Sequence, residues 1–198
     1  MPGFPARAAE RTGADPGRVR RVLTDDSFRR AYWGGDLPEV AFWQAAGIPV
    51  PDPERRAAVL DIRPVVVPAR IARWRQVADI WVVSNHRHEW LLPVLDAAGF
   101  TAVVDRIEVS SLTGRVKPDP AAWEALLADG TSPERVAVVD DQQPNLDSAR
   151  PGPYRTARGR WNRVGGSGGC LARLHRLRPT AACSGSPMTC RRCLADPR

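Results

Sequence analysis

Val136-Ala137-Val138-Val139-Asp140-Asp141 is four apolar residues closed by two acids, and it decides how the chain folds. A short apolar run bounded by turn residues has the pattern of a strand buried on both faces, as in a parallel sheet. Thr131-Ser132-Pro133 leads into it, and Pro144 marks a helix after it. Working back, Ile80-Trp81-Val82-Val83 is a second such run, closed by Ser84-Asn85. Helical spacing surrounds both runs: Ile71 and Trp74 follow Pro68, and Trp90, Leu91, Val94 and Leu95 run up to a stop at Gly99. A strand is expected around Arg106–Ser110 and a helix from Pro120 to Ala128. Repeated strand–helix units imply an α/β domain over residues 65–150, with a parallel sheet and right-handed crossovers.

Residues 1–64 have a different rhythm, that of short helices. Asp15-Pro16 and Asp52-Pro53 each place an N-capping acid before a proline at the first helical position. Leu37-Pro38 begins another helix through Val40, Ala41, Phe42 and Trp43, ending near Gly47. Val65-Val66-Val67 reads as the linker into the sheet. Beyond Arg150, Pro151-Gly152-Pro153 breaks the chain and Gly165-Gly166-Ser167-Gly168-Gly169 is linker-like.

Residues 151–198 hold ten of the 29 basic residues and one of the 22 acids, so the formal charge of +7 belongs to this segment. It is expected to be an irregular, disordered basic tail, in which Leu171, Leu174 and Leu177 mark at most one short helix and no strand stands out. Its Arg-, Pro-, Gly- and Cys-rich composition is what an out-of-frame reading of GC-rich DNA gives. All four cysteines lie there, but Cys190 and Cys193 form only one short-spaced pair, where structural zinc asks for two. Arginines without a folded recognition element do not make a nucleic-acid reader, so no such partner is expected. Hydrophobic content of 43% and charged content of 26% are those of a soluble globular protein. No apolar run approaches the roughly 18 residues of a membrane span. With no secretory signal visible either, the expected location is cytoplasmic.

In open parallel sheets, ligands bind beyond the carboxyl ends of the strands. Ser84 and Asn85 close one strand there, and Asp140 and Asp141 close the other. Lys117, the only lysine beside 28 arginines, sits in the loop Val116-Lys117-Pro118-Asp119-Pro120. Together they offer a hydroxyl for a phosphoryl oxygen, a cation to balance its charge, and two carboxylates for a hard cation such as magnesium. His86 and His88 read as partly exposed loop histidines beside a pocket. Trp33, Trp43, Trp74, Trp81, Trp90 and Trp123 read as packing.

These segments also resemble a known family. VVSNH, VKPDP and VAVVDDQQPNLDSAR, separated by 33 residues from Ser84 to Lys117 and 23 from Lys117 to Asp140, resemble the second, third and fourth motifs of the haloacid dehalogenase-like (HAD) hydrolase superfamily. The resemblance covers about residues 10–150 and points to the helical-cap subfamily. It implies a Rossmann-like parallel sheet, with residues 1–64 as a partial helical cap, and magnesium-dependent cleavage of a small phosphorylated metabolite. It implies that Ser84 and Lys117 are catalytic, that Ser84, Asn85 and Lys117 meet the phosphoryl group, and that Asn145 positions its loop. Asp141 would bind Mg2+ directly, with Asp140 acting through water or sharing the task. The family's nucleophilic aspartate ends a first strand that precedes the cap, whereas this sequence begins inside the cap. Asp25-Asp26, Asp61 and Asp129 all stand in the wrong context to replace it. A truncated, inactive hydrolase is therefore expected, with no aspartyl-phosphate and with two unpaired strand edges at the sheet's centre. A pseudoenzyme or phosphate-binding interaction module is the alternative.

Overall fold

Capping sets the helical layer. In the computed structural model, which describes residues 4–62, 68–124, 127 and 131–150 and the backbone of 155–158 and 172–177, five helices come first: α1 (Phe4–Thr12), α2 (Pro16–Thr24), α3 (Asp26–Gly34), α4 (Glu39–Ala46) and α5 (Pro53–Leu60). The Asp15 carboxylate accepts the Gly17 and Arg18 amides at 2.9 and 3.0 Å. Asp25 accepts the Phe28 amide at 2.9 Å, and Asp52 that of Arg55 at 2.8 Å. Each such cap contributes about 1 kcal/mol by satisfying a donor that the helix itself leaves unpaired. The layer closes around an aromatic centre in which the rings of Tyr32, Phe42, Trp43 and Trp90 lie 5.0–5.8 Å apart.

The remaining elements are α6 (Pro68–Arg75), β1 (Ala78–Ser84), α7 (His88–Ala97), β2 (Arg106–Val109), α8 (Ser110–Thr113), α9 (Ala121–Glu124), β3 (Val136–Asp140), α10 (Gln143–Ala149), β4 (Arg155–Arg158) and β5 (Ala172–Leu177). They build one sheet of order β2-β1-β5-β3-β4. Its strand β1 is buried on both faces, as its continuous apolar run requires. Ile80 and Val82 pack with Ile71, Leu91, Leu95 and Phe100 on one side, while Val83 packs with Trp123, Val138 and Leu146 on the other. Trp90 is the bridge to the helical layer, because it belongs to α7 yet packs in the aromatic centre.

Two expectations about the sheet are corrected. The parallel pattern holds for β1 with β2 and for β3 with β4, but β5 runs antiparallel to both of its neighbours. The segment beyond Arg150, where no strand was expected, supplies both β4 and β5. The cause is backbone hydrogen bonding. Strands β1 and β3 each present a row of N–H and C=O groups that must find partners. Pairing of Ala172–Val83 through Leu177–Ala78, and of Arg173–Val139 through Arg176–Val136, fills the central gap. Such pairing overrides the three-residue leucine spacing that favoured a helix. Val65–Val67, Asp129, Leu171 and the four cysteines lie outside the described residues, as does part of the expected 120–128 helix.

Candidate functional site

The carboxyl ends of β1 and β3 bring the expected residues together. Lys117, in the loop between α8 and α9, is 4% exposed. Its ammonium donates to Asp140 Oδ2 at 3.0 Å and to the Val83 carbonyl at 2.9 Å. Asp140 is fully buried. Its Oδ2 also accepts Asn145 Nδ2 at 3.0 Å, and its Oδ1 accepts the Gln142 amide at 2.8 Å. A buried charge is tolerated when it is both paired and hydrogen-bonded, and this pair meets both conditions.

Asn85 spends both ends of its side-chain amide on the lysine's main chain. Its Nδ2 donates to the Lys117 carbonyl at 2.6 Å, and its Oδ1 accepts the Lys117 amide at 2.8 Å. That pair of hydrogen bonds fixes the backbone from which the lysine side chain extends. Ser84, the last residue of β1, is buried.

Around this centre the sequence reading misjudged His86 and missed Ser110, Ser111 and Arg87. His86 is buried rather than partly exposed, with its ring centroid 5.3 Å from that of Trp33 and 5.9 Å from that of Trp90. Burial pushes its pKa down to about 4, against a smaller upward pull from the Arg87 carbonyl, so the imidazole is neutral at ordinary pH. Ser110 and Ser111 staple the same loop: the His86 amide donates to Ser110 Oγ at 3.0 Å, and the His88 amide to Ser111 Oγ at 2.9 Å. Arg87 is 4% exposed and donates Nη1 to the carbonyls of Tyr32 and Leu37, at 3.1 and 2.7 Å. Its Nε and Nη2 grip the Glu89 carboxylate at 3.0 and 2.5 Å. No spacing pattern flags these contacts, since the acceptors are a neighbouring acid and backbone carbonyls.

Magnesium keeps several waters and takes one or two protein carboxylates. The site meets that modest demand, although no group of three metal-ligating side chains exists among the described residues. Asp140 is committed to three internal donors. Asp141, the next residue, is half-buried and would be the carboxylate to hold a cation, while Asp140 holds the lysine.

A family model described as haloacid dehalogenase-like hydrolase matches residues 8–151. The chain belongs to that family. The match runs from the helical layer through β1, the Lys117 loop and β3 to α10. Among solved structures, a predicted HAD-like family hydrolase of Porphyromonas gingivalis is similar at 17% identity and a TM-score of 0.65, covering 81% of this chain and 84% of its own. A HAD family enzyme of Bacteroides thetaiotaomicron, crystallised as the wild-type protein with magnesium and inorganic phosphate, is similar at 16% identity and a TM-score of 0.66, covering 80% and 85%. At such identities the likeness is one of fold. No curated protein matches the chain. Among the described residues of this HAD chain, no helix is long and apolar enough to cross a membrane.

Proposed function

We propose that this HAD-like hydrolase carries the phosphate- and magnesium-holding side of a phosphomonoesterase site, and that residues 1–198 bind a small phosphorylated metabolite without turning it over. The observation that carries the reading is the buried Lys117–Asp140 pair at the carboxyl ends of β1 and β3. A structural neighbour crystallised with magnesium and inorganic phosphate supports the choice of ligand.

Each residue then has a part. The Ser84 hydroxyl donates to a phosphoryl oxygen, and the Lys117 ammonium offsets the charge on that group. Asn85 holds the lysine's main chain, so its role is positioning rather than direct contact. Asp140, fixed by Asn145 and the Gln142 amide, aims the ammonium. Asp141 would hold the Mg2+ ion, which when bound neutralises charge on the phosphoryl oxygens.

No nucleophile is assigned within residues 1–198. Within residues 1–198 no aspartate precedes Asp15, and Asp15, Asp25 and Asp52 are all spent on helix caps. Asp61 is the left-handed C-cap of α5, at φ 44°. On this reading none of these aspartates serves as the residue that would carry an aspartyl-phosphate.

Two assays on the purified chain test this. With Mg2+ present, p-nitrophenyl phosphate should remain intact, while orthophosphate should raise the melting temperature. Turnover abolished by Lys117→Ala or Asp141→Asn would show a competent enzyme and overturn the binding-only reading. No rise in melting temperature would overturn phosphate binding itself.

A further inference from the structure

We infer that Arg87 is a positioning residue that latches the ligand-facing loop to the helical layer, so that phosphate bound at Ser84 and Lys117 orders the corner after α3. This rests on the phosphate-binding reading given above for the functional consequence, and on geometry alone for the latch.

Residues 84–88 each reach a different part of the molecule. Ser84 ends the strand, Asn85 pairs with the Lys117 main chain, and His86 lies against Trp33 and Trp90. Arg87 crosses to the helical layer, and the His88 amide returns to Ser111. The guanidinium is buried, and every one of its nitrogens is engaged. It also lies 5.0 Å from the Tyr32 ring centroid.

Its acceptors explain why an arginine is needed. The last carbonyls of a helix have no partner within it and mark the negative end of its dipole, so a cation there is favoured. Tyr32 O lies in the final turn of α3 and Leu37 O just beyond it, and a planar fork can take both while still holding Glu89. Burial by itself would raise the Glu89 pKa, but the Arg87 hydrogen bond, joined by that of its own backbone amide and by the Arg87 and His88 charges, leaves that carboxyl below its ordinary value.

The same corner meets the same loop by a second route. Gly35 follows α3 at φ 91°, and a Cβ there would lie 2.3 Å from the Ser111 carbonyl oxygen. The Ser111 amide in turn donates to the His86 carbonyl at 3.3 Å. Displacing residues 32–37 therefore pulls on His86 and Arg87 together, and through the chain on Asn85, which holds Lys117.

Hydrogen–deuterium exchange on the full chain, with and without orthophosphate and Mg2+, tests the latch. Arg87→Met should speed amide exchange over residues 31–37 about tenfold, leave β1 and β3 unchanged, and weaken orthophosphate binding about tenfold, since a hydrogen bond to a charged group is worth roughly that factor or more. Arg87→Lys, which keeps the charge but loses the fork, should recover part of both effects. In the wild type, orthophosphate should slow exchange at 31–37, and at concentrations that saturate Arg87→Met that slowing should vanish. Glu89→Gln frees one side of the guanidinium and should give a smaller increase in the same peptide, which keeps the test open if Arg87→Met fails to fold. Wild-type exchange at 31–37 in the folded Arg87 and Glu89 variants would overturn the latch. A wild type that binds no phosphate would sink the functional reading and the phosphate-dependent ordering, while exchange without ligand still judges the latch.

Discussion

Two regions of this molecule, one half-buried and one fully buried, each gather at least three donors around one carboxylate among the described residues. In the helical layer, Glu39 Oε1 accepts the indole N–H groups of Trp43 and Trp90, both at 2.8 Å, and Oε2 accepts Arg56 at 2.7 Å. At the carboxyl end of β3, Asp140 accepts Lys117, Asn145 and the Gln142 amide. Glu39 welds α7 to the helices and stands inside an aromatic cluster. Asp140 ends β3, at the carboxyl end of the strand where the proposed ligand would sit. Satisfying a carboxylate withdrawn from water is thus a general demand of folding, and its place in the fold separates the weld from the proposed site.

Removing the two carboxylates should separate them in kind as well as size. Asp140→Ala leaves the Lys117 ammonium buried and unpaired, and should cost about 3–5 kcal/mol in urea unfolding. The pair Lys117→Met with Asp140→Leu should cost less than the sum of the single changes, and additive losses would show that the two charges do not interact. Glu39→Ala strands two indole donors and Arg56, a loss of about 3 kcal/mol, yet should keep the orthophosphate response. Loss of that response would erase the distinction between weld and site.

Acid sharpens the comparison further. The buried His86 has a folded pKa of about 4 against 6.5, so the unfolded chain takes up the proton first. Its contribution is complete above pH 6.5 and is lost as pH falls toward 4, by up to about 3 kcal/mol. The Glu89 carboxyl is held low, so its contribution is present above its unfolded pKa near 4.5 and is lost as pH falls through the lower folded value. His86→Phe should flatten the first window and spare the second, as followed by melting temperature against pH. Smallest of all, Asp15→Ala removes a surface cap worth about 1 kcal/mol and should leave both regions as they are.

The residues that the sequence revealed share one property: their roles are local or periodic. Asp15 and Asp52 cap the helices that their Asp-Pro pairs announce, and the apolar runs at 80–83 and 136–139 form strands whose ends gather Ser84, Lys117 and Asp140. What stayed hidden depends on distant partners. Strand β5 exists through pairing with β1 and β3, which no local pattern in Ala172–Leu177 announces. Arg87 reaches backbone carbonyls 55 and 50 residues away, and carbonyls are the same in every residue type. His86 is buried because Trp33 and Trp90 close over it, a contact that the helical spacing of neither tryptophan foretells.

The most direct test of the central claim is calorimetric titration of orthophosphate, with Mg2+ present, into the wild-type chain and into the Lys117→Met/Asp140→Leu variant. The account predicts saturable single-site binding in the wild type and none in the folded double variant. Equal binding by both, or none by the wild type, would contradict it.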